Sequence, residues 1–64
     1  MYTYNISGYY FANDERKYFN EDVTAENNSE AMANVIGHIA WQESIKGNTF
    51  KLDTIHYEFL HECL

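Results

Sequence analysis

The sequence predicts one small α+β domain, ordered strand-strand-helix-strand, with a three-stranded antiparallel sheet and one helix packed on one face. Three observations carry this. Residues 2–11 are rich in Tyr, Ile and Phe, with Tyr2, Tyr4, Ile6 and Tyr10 in phase at a period of two. Met32, Val35, Ile36 and Ile39 recur at helical spacing. Residues 50–59 return to a strand-like composition, dominated by Thr, Ile, Tyr and Phe.

The first strand places Tyr2, Tyr4, Ile6, Gly8 and Tyr10 on one face and Thr3, Asn5, Ser7 and Tyr9 on the other. Gly8 inside such a run signals a bulge or a backbone passing close over it. Ala12-Asn13-Asp14-Glu15-Arg16 is polar and turn-like, so a hairpin follows. The return strand spans 17–25, with Phe19, Val23 and Ala25 in phase and Glu21 the charged residue among them.

A helix is expected to start at 27–29. Asn27 followed three residues later by Glu30 matches capping-box spacing, with Asn in place of the usual Ser or Thr. Gly47-Asn48 after Lys46 supplies a stop. In the last segment Phe50 and Leu52 are in phase, and Ile55, Tyr57 and Phe59 are in phase, but the two sets are offset by one residue. A strand therefore needs a bulge near Asp53-Thr54 to keep both sets inward. A helix there would gather Leu52, Ile55, Phe59, Leu60 and Cys63 on one stripe; composition favours the strand, because a hairpin alone is a poor sheet. Residues 60–64 are expected to fray or turn helical. The resulting spatial order is two, one, three. The expected core sets Met32, Val35, Ile36 and Ile39 against Ile6, Phe19, Val23, Leu52 and Ile55.

At 64 residues the chain is one domain (1–64), near the lower limit for a core without staples, and its one cysteine, Cys63, forms no intramolecular disulfide. Aromatics make up 17% of the chain, more rings than so small a domain can bury, so some aromatic surface is left for binding. A homodimer is one way to cover it. Residues 1–5 show no basic segment leading into an apolar run, and no stretch is long enough to span a bilayer. With a lone thiol, the cytoplasm is the expected compartment.

Charge narrows the partner class. Four Lys or Arg stand against ten Asp or Glu, a net charge of -6. Between Lys17 and Lys46 there is no cation, while Glu21, Asp22, Glu26, Glu30 and Glu43 fall in that window. Such a field repels nucleic acid and anionic membranes and attracts basic protein surfaces. Tyr4, Tyr9, Tyr10 and Tyr57 could stack bases, but Arg16, Lys17, Lys46 and Lys51 are too few to hold phosphates.

Two features mark a binding surface. Trp41 points away from the apolar helix stripe, together with Asn34, Gly37, His38 and Ile45. It either packs on the sheet edge or stands as an exposed anchor. Glu21, Asp22, Glu26 and Glu30 either keep a strand edge and a helix start solvated or mimic phosphates, with Tyr18 beside them as a ring in place of a base. His38, His56, His61 and Cys63 lack the close pairs of which metal sites are built, so no metal and no cofactor is expected. Cys63 has no oriented base, and neither a phosphate loop nor a nucleophile elbow is present, so catalysis is not expected.

In size, charge, richness in Tyr and element order the chain resembles small phage- or mobile-element-encoded host-takeover proteins, anti-CRISPR inhibitors among them. The likeness covers the whole chain and rests on no shared motif; the run Val23-Thr24-Ala25-Glu26-Asn27 into Ser29-Glu30-Ala31 is common in small α+β domains. It implies a non-enzymatic inhibitor that blocks the basic channel of a nucleic-acid-handling host protein, with no functional residue carried over. The alternative is a small structural or regulatory subunit that docks through an apolar face to complete its core.

Overall fold

A computed structural model describes residues 1–63. Three strands and one helix follow in order: β1 Tyr2–Ala12, β2 Glu15–Ala25, α1 Asn28–Ile45 and β3 Phe50–Glu62. The sheet order is β2-β1-β3, with both pairings antiparallel. The expected fold class and strand order are the observed ones.

β1 and β2 pair without interruption from Tyr2↔Ala25 to Ala12↔Glu15. The turn between them is two residues, Asn13 and Asp14, both at positive φ (52° and 64°). Asn and Asp tolerate that region because their side chains bond locally, and it suits a tight hairpin with the natural strand twist.

β3 pairs with β1 through two register shifts. Tyr9 faces Thr54 but Tyr10 faces Leu52, so Asp53 is the extra residue; Thr3 faces His61 but Tyr4 faces Phe59, so Leu60 is another. The first shift reconciles the two offset apolar sets of the last segment. Gly8 lies beside it: a Cβ there would sit 1.9 Å from the Thr54 carbonyl oxygen, and only glycine lets β3 approach so closely. The strand continues to Glu62 rather than fraying after Phe59, and residue 64 of that expected tail lies outside the described residues. At that end the Cys63 amide donates to the Met1 carbonyl oxygen (2.8 Å), and Cys63 Sγ lies 2.9 Å from Thr3 Oγ1.

The helix is capped as expected, with Asn27 Oδ1 accepting from the Glu30 amide at 2.8 Å. Its buried residues are Ala31, Val35, Ile39 and Glu43. They pack on Tyr4, Ile6, Tyr10, Ala12 and Ala25 of the sheet, with Ile6 fully buried. Met32, Phe19, Val23, Leu52 and Ile55 border this core half-buried, as does Phe50. The expected core is thus correct in its helix and strand faces, but it omits Tyr4, Tyr10 and the three alanines. Ile36 is half-buried, on the shoulder of the stripe.

One helix does not cover the whole sheet. Its 18 residues span about 27 Å, whereas the 13 residues of β3 span about 43 Å. Phe50, Leu52 and Ile55 are packed under it, but Tyr57 and Phe59 remain half exposed (52% and 54%).

Candidate partner-binding surface

The charge distribution starts from one buried carboxylate. Glu43 is 2% exposed, at the end of the core near the hairpin. It accepts from the Tyr10 hydroxyl (3.1 Å) and Asn48 Nδ2 (2.9 Å), and Lys17 and Lys46 approach at 3.7 and 3.9 Å. The Asn48 amide, the Tyr10 hydroxyl and the two ammonium groups favour its ionised form against the cost of burial, so its pKa lies below the usual carboxylate value. The Tyr10 hydroxyl is pushed the other way, by burial first, then by its hydrogen bond to Glu43 and by the Glu43 charge. Asn48 and Thr49 in turn hold Asn13 of the hairpin turn, with Asn13 Nδ2 donating to Asn48 Oδ1 at 2.6 Å and the Thr49 amide donating to Asn13 Oδ1 at 3.0 Å. Glu43 therefore clasps the helix end, the hairpin and the start of β3.

This clasp consumes cations. Among the described residues both ion pairs go to Glu43. Arg16 is spent differently: its guanidinium lies over the rings of Tyr9 (4.8 Å) and Phe11 (5.7 Å) and donates to the Tyr18 hydroxyl (3.4 Å). The other nine Asp and Glu are all exposed, and none has an ion-pair partner among the described residues.

The residues singled out from the sequence fall around the outer edge of β2. Glu21 faces the helix side and lines a cleft of about 160 Å³ with Val23, Asn34, Val35, His38 and Ile39. Glu30, Asn34, His38 and Trp41 recur every three or four residues and so form one stripe along the helix. Its middle lines the cleft, with Glu30 at one end and Trp41 at the other. Trp41 is 61% exposed and stacks on His38, with ring centroids 6.3 Å apart and planes at 26°. It does not pack against the sheet edge. Ile45 stands exposed further along the same flank.

Asp22 and Tyr18 lie on the opposite, open face, as alternation along β2 requires. Asp22 accepts from Asn5 Nδ2 at 2.9 Å. Tyr18, 73% exposed, packs on Tyr9 at 5.8 Å and borders a wide concavity of about 460 Å³ shared with Ser7, Asn20, Thr54 and His56. Glu26 is exposed in the turn between β2 and α1. The six residues therefore do not form one flat patch; they wrap both faces of one strand edge and the adjoining helix flank.

Tyr4 and Tyr10 are buried under the helix, Tyr57 is exposed on the helix side, and Tyr9 lies on the open face, so these four rings do not make one stacking platform. No group of three His, Cys, Asp or Glu gathers closely enough to hold a metal among the described residues. Likewise no helix among them is long and apolar enough to cross a membrane.

Glu43 was not singled out from the sequence as a special residue. The signal was present but weak: Glu43 continues the Val35–Ile39 spacing by four, so it falls on the buried helix stripe. An acid on that stripe implies a buried polar cluster. The chain matches no known family model, no curated protein and no solved structure.

Proposed function

We infer that the protein is a non-enzymatic binding protein that sets its acidic β2 edge and α1 flank against a basic surface of a nucleic-acid-handling protein and so blocks it. The carrying observation is that Glu21, Asp22, Glu26 and Glu30 are all exposed and none has an ion-pair partner among the described residues, while Lys17 of the same strand is paired with Glu43. Carboxylates on a rigid edge are already positioned, so they compete with phosphates at less ordering cost than a flexible acidic tail. Trp41, stacked on His38 beside the cleft, supplies the apolar anchor that charge alone lacks. The host-takeover likeness adds a setting in which such a blocker acts, with an anti-CRISPR role as one instance.

The immobilised chain is exposed to a host lysate at low and high salt, beside a variant carrying Glu21→Gln, Asp22→Asn, Glu26→Gln and Glu30→Gln. The parent retains a basic nucleic-acid-binding protein that high salt releases and the variant fails to hold. Adding the free parent then abolishes that protein's binding to nucleic acid. Equal retention by parent and variant contradicts the reading.

A second reading has its own support. Trp41 and Ile45 are exposed on one flank, which suits a subunit that docks by apolar contact. Such a complex barely responds to salt and survives the fourfold variant, whereas Trp41→Ala dissolves it.

A further inference from the structure

The outer edge of β3 is not used by the acidic flank. It is an edge strand like β2, with no strand paired to its outer side among the described residues. Its two register shifts fall at Asp53 and Leu60, so residues 54–59 between them run as regular strand against β1. There Ile55, Tyr57 and Phe59 face the helix side, and Thr54, His56 and Glu58 face the open side.

We propose that this segment is a homodimer interface, in which β3 pairs antiparallel with β3 of a second copy about a two-fold axis at Tyr57. The register follows from complementarity. With Tyr57 opposite its own copy, Ile55 lies opposite Phe59 and His56 lies opposite Glu58, each pair occurring twice. Moving the axis to residue 56 forfeits the His56–Glu58 pairs, and moving it to 58 sets Glu against Glu, where like charges repel. The bulges at either end limit the pairing to this central stretch.

A second copy suits this edge better than β2. An axis at Phe19 would also set Lys17 opposite Glu21 and Arg16 opposite Asp22. Those cations are already engaged inside their own chain, Lys17 with Glu43 and Arg16 over Tyr9 and Phe11. His56 and Glu58 have no side-chain hydrogen bond or ion pair among the described residues and are exposed. Tyr57 and Phe59 already pack edge-on against Tyr4, and Phe59 lies beside Tyr2, a preformed aromatic layer that the partner's rings extend. The product is one continuous sheet of two three-stranded halves, with both helices on the same face and the two acidic β2 edges at its far ends. That arrangement keeps the strongly negative flanks of the two copies apart.

Sedimentation equilibrium tests the assembly and cysteine cross-linking tests the register. The parent goes from 7.6 kDa to twice that mass as concentration rises through the micromolar range. Tyr57→Lys, at an exposed position, keeps the far-UV spectrum of the parent but remains at 7.6 kDa. In a Cys63→Ser background, Tyr57→Cys forms a covalent dimer under mild oxidation, because directly opposed Cα atoms lie about 4.5–5.5 Å apart. Lys51→Cys in the same background does not. A parent that stays at 7.6 kDa at all concentrations overturns the proposal. So does a dimer untouched by Tyr57→Lys, or one dispersed by Phe19→Lys instead. The fourfold Gln and Asn variant of the acidic edge keeps its dimer, so failure here and failure of the blocking function are told apart.

Discussion

The two edges of this sheet are built from the same secondary structure and differ in what their side chains leave unsatisfied. Along β2, Lys17 turns inward to Glu43 and Arg16 turns onto Tyr9 and Phe11, so Glu21 and Asp22 stand without counterions. Along β3, Lys51, His56 and His61 alternate with Asp53, Glu58 and Glu62, and Tyr57 and Phe59 remain half exposed. One edge offers charge and the other offers rings with balanced polarity. Part of the difference is produced at a distance: a buried acid on α1 pairs with Lys17, one of the two cations that β2 carries.

The largest perturbation breaks both edges at once. Ile6, fully buried on the central strand, lies between Glu21 of β2 and Tyr57 of β3. Ile6→Ala is expected to cost about 2–5 kcal/mol in denaturant unfolding. In a domain this small that is a large part of the total stability. Gly8→Ala is more selective. Its Cβ would collide with the Thr54 backbone, so β3 must shift away from β1 while the β1–β2 hairpin keeps its pairing. The cost is expected at about 1–3 kcal/mol, by analogy with overpacking. Amide exchange should accelerate along β3 first; uniform acceleration in β2 and β3 would argue against separate behaviour of the edges.

Next comes the Glu43 clasp, which pH can open. Glu43 has a lowered folded-state pKa, so its contribution is full above the ordinary carboxylate value of 4.5 and is lost as pH falls below it through the folded value. Tyr10 has a raised pKa, so its contribution is full below 10.0 and is lost as pH rises above that. The melting temperature is therefore expected to be flat between these limits and to fall on both sides. Glu43→Gln should lower it at neutral pH and reduce the acid-side fall. It also takes one negative charge from a chain of net charge -6 and leaves Lys17 and Lys46 without their carboxylate, so partner association should slow although no acid of the β2 edge has changed. A Glu43→Gln variant with the parent's association rate would uncouple the clasp from the edge.

Much of the fold could be read from the residues because it depends on local spacing. The bulge at Asp53 was visible as an offset between Phe50–Leu52 and Ile55–Tyr57–Phe59, and Gly8 marked the strand that closes over it. The Asn27 cap needed only its three-residue distance to Glu30. What spacing does not carry is extent. Alternation says that Tyr57 and Phe59 face the helix side, but whether they are covered depends on how far an 18-residue helix reaches across a 13-residue strand. The Glu43 cluster was hidden for a similar reason. Its partners Tyr10, Lys17, Lys46 and Asn48 come from three parts of the chain that only tertiary packing brings together. The candidate acids were identifiable as exposed charge, but their division between the two faces of β2 follows from strand geometry, which separates Glu21 from Asp22 although they are adjacent.

The smallest effects concern individual surface residues. Trp41→Ala should leave stability within about 0.5 kcal/mol, since the ring is largely exposed. Its effect belongs on the dissociation rate of the partner complex. Single neutralisations of Glu21, Asp22, Glu26 or Glu30 should each change affinity by no more than about fivefold. Their sum acts on long-range attraction and is not small.

The central claim is that uncompensated charge at the β2 edge brings the partner in. The most direct measurement is the association rate of the captured partner against ionic strength, for the parent and for the fourfold Gln and Asn variant. The parent rate should fall steeply with salt. The variant should start at least about tenfold lower and respond weakly, and the two curves should converge at high salt, where screening removes steering. Superimposed curves at every salt concentration would contradict the claim and leave the acidic edge as solvated surface.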